Sequence, residues 1–189
     1  MTLQIPAFLK GEMILAMPGM TDPNFSRTVT CLFEHTGQGA VGGIVNRVHP
    51  FLSAKSIFEE LKIDCGPTAE TIPIYMGGPV HMGEIFILHG PPFEWQGCLK
   101  VTPGYGMSNT LDILKSIATG KGPEIFIIML GCAGWGPGQL ESEIRDNTWL
   151  TCPFSESIVF ELPSASRWKA AMKSIGVDPA LLSGTAGNA

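Results

Sequence analysis

A chain of 189 residues, 44% hydrophobic and 15% charged, fits one domain and is short for two. Its formal net charge of −5, with lysines and arginines scattered rather than striped, argues against direct nucleic-acid binding, which draws most of its affinity from phosphate neutralisation. No apolar stretch is long enough for a signal peptide or a membrane span, so no membrane association is expected.

Residues 1–10 read as a surface segment. Residues 12–17 read as a buried strand closed by Pro18 and Gly19, followed by a loop around Asp22 and Pro23. Residues 27–35 alternate in polarity and predict a strand. A glycine-containing turn at 36–39 joins it to a strand over 40–46, which suggests an antiparallel hairpin. Ser53 is a candidate N-cap for a helix to about Lys62. Residues 72–76 and 84–89 predict two strands, ended by Gly77-Gly78-Pro79 and by Gly90-Pro91-Pro92. A short strand fits 98–101. Asn109 opens a helix carrying Leu111, Leu114, Ile117 and Ala118, stopped by Gly120 and Gly122.

Residues 124–130 form the most apolar strand, which places it centrally. The glycine-rich segment 131–139 then reads as a sharp corner opening into a helix, with Pro137 at an early helical position. Short strands fit 149–151 and 157–162. A last long helix over 165–175 carries Trp168, Ala171, Met172 and Ile175 as its apolar stripe, with Arg167, Lys169 and Lys173 on a solvated face. One more turn starts at Pro179, and residues 183–189 read as a frayed end. Strands outnumber helices and most links are short. The pattern predicts an α+β single domain over 1–189, with a mixed, mostly antiparallel, strongly bent sheet. The helices are too few for a doubly wound parallel sheet.

The ordered set 17–29, Glu34-His35, 42–47, 77–80, Leu88-His89 and, most strongly, 130–150 resembles the YqgE/AlgH family, bacterial proteins of undefined biochemistry. The resemblance spans about residues 11–182. It implies one compact α+β domain with a barrel-like sheet. Some family members are called transcriptional regulators. The chain departs from the family pattern in three places. Val48 and His49 separate the Asn-Arg pair from Pro50, Glu84-Ile85 stands where Arg-Gly is usual, and Cys132 stands where tyrosine is usual.

The candidate ligand-binding residues are Arg27, His35, Asn46, Gly77, Gly78, Trp135, Gly136 and Gln139. In the corner, glycines permit close backbone approach, a helix start offers N–H groups, and Trp135 offers a flat wall. The alternative for Trp135 is a core position. Neither a Walker nor a dinucleotide glycine spacing is present. Arg27 and Asn46 are expected to meet at the open end of the hairpin, with Glu34 or His35 near its turn. They form either a site or an internal polar network. Gly77 and Gly78 end a strand with unusual dihedrals or line the same groove as Trp135. Cys132 at a helix start is a candidate nucleophile, weighed against an inert buried thiol. Glu141, Glu143 and Asp146 read as a solvated helix face with a Glu141–Arg145 ion pair.

Five cysteines at wide spacing, with no C-x-x-C pair, point to reduced thiols in the cytoplasm. The histidines His49, His81 and His89 lack metal-ligand spacing, so neither a metal nor a cofactor is expected. The leading functional expectation is a non-enzymatic cytoplasmic accessory or regulatory protein, acting through a protein partner or small ligand at the corner. An enzyme using Cys132, or a carboxylate with Arg27 and His35, is the alternative. A DNA-binding regulator is a third reading, disfavoured by charge. Self-association into a homo-oligomer stays open.

Overall fold

The computed structural model describes residues 8–182. The surface segment expected over 1–7 and the frayed end expected over 183–189 lie outside the described residues. The strands are β1 (Met13–Ala16), β2 (Val29–Thr36), β3 (Gly39–Ile44), β4 (Val48–Ser53), β5 (Pro73–Met76), β6 (Val80–His89), β7 (Leu99–Lys100), β8 (Gly106–Ser108), β9 (Phe126–Trp135) and β10 (Trp149–Cys152). The helices are α1 (Ala54–Glu60), α2 (Leu111–Ala118), α3 (Gln139–Arg145), α4 (Ser164–Ser174) and α5 (Pro179–Leu182).

One open sheet of ten strands runs β10-β1-β2-β3-β9-β6-β8-β7, with β5 also on β9 and β4 on β5. Every pairing is antiparallel except β5 with β9. This is the expected α+β class with a mixed, mostly antiparallel sheet; the sheet is not closed into a barrel. The β2–β3 hairpin forms as the turn at 36–39 implies, with His35 opposite Ala40.

Strand β9 organises the fold. Its first half lies between β5 and β6, pairing Ile128 with Ile74 and with Ile87. Its second half pairs with β3, Ala40 opposite Trp135. Gly131, at φ 74°, sits between the halves in the left-handed region that favours glycine. It shifts the alternation of side chains. Ile127, Met129 and Cys132 enter one core beneath α4, with Trp168, Ala171 and Met172. Ile128 enters a second, with α1 and α2. Ala133 and Trp135 enter a third, with Leu140 of α3 and Trp149.

Several expectations change. The apolar strand does not end at Leu130 but continues to Trp135, so the corner shrinks to residues 136–138. Its small residues 131–134 suit a strand because β3 and β6 approach it closely. Pro137 lies before the N-cap, Gly138, not inside the helix. Residues 157–162 are not a strand: Ser157–Glu161 is a π-helical turn whose Ile158 and Val159 are buried against α4. Thr110, not Asn109, stands at the N-cap position of α2. Leu9 is buried rather than on the surface. Arg167 is 4% exposed: it donates to the carbonyls of Leu162 and Val45 and lies over the Tyr75 ring. Strand β4 is hidden in the sequence by Pro50, which an edge strand tolerates because one of its flanks needs no N–H.

Candidate functional site

Helix α3 lies across the ends of β2, β3 and β9 and is pinned by two of its carboxylates. His35, Ala40 and Trp135 sit in one row across those strands. The His35 ring is buried; its Nδ1 accepts the Leu9 N–H at 2.9 Å, so the proton resides on Nε2, which donates to Glu141 Oε1 at 3.1 Å. Glu141 is held below the usual carboxylate range by its own backbone N–H first, then by His35 and Arg145.

Two residues on, Glu143 Oε2 accepts the indole N–H of Trp135 at 2.9 Å and that of Trp149 at 2.7 Å. Its Oε1 accepts from Gln139 Nε2 at 2.8 Å, while Gln139 Oε1 accepts the Gly136 N–H at 2.9 Å. The expected solvated face carrying a simple Glu141–Arg145 pair is therefore corrected: both glutamates face inward partners, because α3 rests against side chains from three strands. Asp146 alone of the three stays exposed, as the helix C-cap.

The two indoles meet edge to face with ring centres 5.8 Å apart, and Phe25 caps Trp149 at 5.4 Å. Trp135 is 7% exposed, so most of the ring is core. One side of this aromatic cluster nevertheless borders an open groove of about 660 Å³. The loop at 17–22, Gln139, Glu143, Asn147 and Thr148 form its walls. Its lining carries the carboxylates of Asp22 and Glu143 and, among the described residues, no lysine, arginine or histidine. The Gly136 amide and both indole donors are already bonded inside the protein. The groove therefore presents acceptors rather than free corner N–H groups.

The other predicted residues are placed elsewhere. Arg27 and Asn46 do meet: Asn46 Nδ2 donates to the Arg27 carbonyl at 2.9 Å and its Oδ1 accepts the Val29 N–H at 2.8 Å. The Arg27 guanidinium lies 5.8 Å from the Trp168 ring centre, which is on the α4 side of the sheet. His35 is at the opposite end of the hairpin. Gly77 and Gly78 press against β9: an added Cβ on either would lie 2.2 Å from the Gly131 or Cys132 carbonyl oxygen. Gly78 lines a second cavity, of about 260 Å³, and is not part of the Trp135 groove. Cys132 is 3% exposed, and burial pushes its thiol up, with Glu84 adding to the rise. That is opposite to the lowered pKa a nucleophile needs.

Two features escaped sequence reading. The groove depends on Phe25 and Trp149, which only the tertiary fold brings to Trp135. His89, fully buried, bonds the Gly90 carbonyl through Nδ1 at 2.6 Å and Ser108 Oγ through Nε2 at 2.9 Å, partners that the Leu88-His89 pair does not reveal in sequence. Among the described residues no cluster of three or more His, Cys, Asp or Glu is placed to hold a metal. No helix there is long and apolar enough to cross a membrane.

Residues 13–180 match the family model described as AlgH-like. The chain is 51% identical over 169 residues to a UPF0301 protein of Desulforapulum autotrophicum, covering 89% of each chain. It is 44% identical to a UPF0301 protein of Paracoccus denitrificans, covering 96% of this chain and 97% of that one. Among solved structures, the AlgH protein of Pseudomonas aeruginosa superimposes with a TM-score of 0.80 at 43% identity over the whole of both chains. A Corynebacterium diphtheriae protein shares the fold with a TM-score of 0.74 at 21% identity, covering 98% of this chain and 95% of that one.

Proposed function

The chain belongs to the AlgH-like family, a family of uncharacterised biochemical function, and we propose that it is a non-enzymatic accessory or regulatory protein that holds a segment of a protein partner in the Trp135 groove. The carrying observation is the groove itself: a cleft of about 660 Å³ over a rigid aromatic floor, acidic and without a basic residue in its lining. Such a lining selects neutral or positively charged groups, and aromatic edges and faces favour lysine or arginine side chains. The acidic walls also weigh against DNA as the partner. No thiol or hydroxyl paired with a base lines the cleft, so the reading is binding rather than turnover. In this reading the protein works in the cytoplasm, where all five cysteines remain free thiols.

The indole N–H groups of Trp135 and Trp149 are built-in reporters. Titrating the protein with a short lysine-rich peptide should shift both resonances saturably, and an aspartate-rich peptide of equal length should not. Thr21→Arg, at an exposed wall position, should weaken the basic peptide at least tenfold. No saturable shift with the basic peptide, or equal response to both peptides, refutes the assignment.

A further inference from the structure

The second cavity has the opposite electrostatic character. It lies between the β3–β4 link and the start of β6, and its lining includes Asn24, Arg47 and His49 together with Met76, Met82 and Leu130. Arg47 donates through Nη2 to the Ser26 carbonyl at 2.9 Å and through Nη1 to that of Pro23. A guanidinium has five N–H groups, so these two bonds fix its plane and leave three donors. His49 Nδ1 accepts the backbone N–H groups of Phe51 and Leu52 at 3.2 and 3.1 Å. Its proton therefore sits on Nε2, a second donor of defined position. No aspartate or glutamate lines the cavity. The carboxylates closest to it in sequence do not line it: Asp22 lines the Trp135 groove and accepts the Asn24 N–H at 2.8 Å, and Glu84 pairs with His81 at 3.0 Å.

We infer that this cavity is a binding site for a small organic anion, a carboxylate whose head meets Arg47 and His49 and whose apolar tail lies on Met76, Met82 and Leu130. A volume of about 260 Å³ lies just below the roughly 300–1,000 Å³ of pockets that hold drug-sized ligands, which suits a short-chain acid. Met76 and Met82 are 38% and 69% exposed, an apolar cost at the surface that a bound tail would remove. Arginine suits the head group because it forks to two carboxylate oxygens. The site is independent of the Trp135 groove, since neither cavity shares a lining residue with the other.

The test uses sodium hexanoate as probe, followed by the methyl resonances of Met76 and Met82 and the ring resonances of His49 in the full chain. Hexanoate should shift all three saturably, with a Kd of about 1 mM, the weak affinity such a small ligand has. Hexylammonium should bind at least tenfold more weakly. Met82→Glu, an exposed position that leaves the core intact, should weaken hexanoate at least tenfold, and Met82→Leu should retain it. Equal binding of hexanoate and hexylammonium, indifference to Met82→Glu, or no saturable shift would each overturn the assignment.

Discussion

Trp135 and Trp149 deliver their indole N–H groups to one oxygen atom, Glu143 Oε2, from the end of β9 and the start of β10. One carboxylate thereby joins two strands that are not neighbours in the sheet and holds α3 over both. Glu143→Ala leaves both indole donors without a partner in a mostly buried setting. It should lower stability by about 2–3 kcal/mol, read as a drop in the urea midpoint at unchanged slope. Glu143→Gln keeps one acceptor oxygen and should cost less than Glu143→Ala. Equal midpoints for wild type and Glu143→Ala would show that the double bond carries no stability.

The close approach of Gly78 to β9 makes a sharp contrast with Gly83. An alanine Cβ at Gly78, where φ is 153°, would lie 2.2 Å from the Cys132 carbonyl oxygen, whereas nothing lies within 4 Å of one at Gly83. Gly78→Ala should cost more than about 2 kcal/mol, and Gly83→Ala should stay within about 0.5 kcal/mol of wild type. Thermal unfolding of the two variants side by side decides the matter.

Glu141 gives the fold a defined acid sensitivity. Its own N–H, then His35 and Arg145, favour the carboxylate in the folded state and hold it below the reference value of 4.5. A depressed acid contributes stability that is present above its unfolded pKa and is lost as pH falls through the folded one. The stability difference between wild type and Glu141→Gln should therefore be full at pH 6 and shrink below pH 4.5. A difference that is flat from pH 7 to pH 3 would contradict this linkage.

Thiol accessibility should divide the cysteines into two classes. Cys31, Cys132 and Cys152 are buried, and burial pushes all three thiols up; Cys65 and Cys98 are half-buried. A thiol-exchange reagent at pH 8 should titrate at most Cys65 and Cys98 in the folded protein and all five cysteines in denaturant. Fast reaction of Cys132 in the native state would reopen it as a nucleophile.

What could be read from the chain was what local pattern controls. The run before Gly131 is apolar throughout, so its central place was visible, and the hairpin turn at 36–39 brought Arg27 and Asn46 together as expected. The extension of β9 to Trp135 was not visible, because residues 131–134 are small and their burial comes from β3 and β6. The roles of Glu141 and Glu143 were hidden for a similar reason. Helical spacing pairs Glu141 with Arg145, but His35 and two tryptophans from distant strands compete for those carboxylates and win. Residues 157–162 looked like a strand because a buried π-helical turn and a short strand have the same apolar composition. Of the candidate site, Trp135 and Gln139 were found from the corner, while Phe25, Trp149 and the Arg47–His49 cavity needed three dimensions.

The position of β9 in the chain also bears on how the molecule is made. During vectorial synthesis the ribosome releases β3, β5 and β6 long before the strand that all three require. Until residue 135 emerges, those edges lack their common neighbour, so the nascent chain carries unmated hydrogen-bonding groups and apolar surface. Completion is therefore deferred until β9 has emerged. Slowing elongation just before β9 should lengthen the interval in which holdase chaperones can engage the emerging polypeptide.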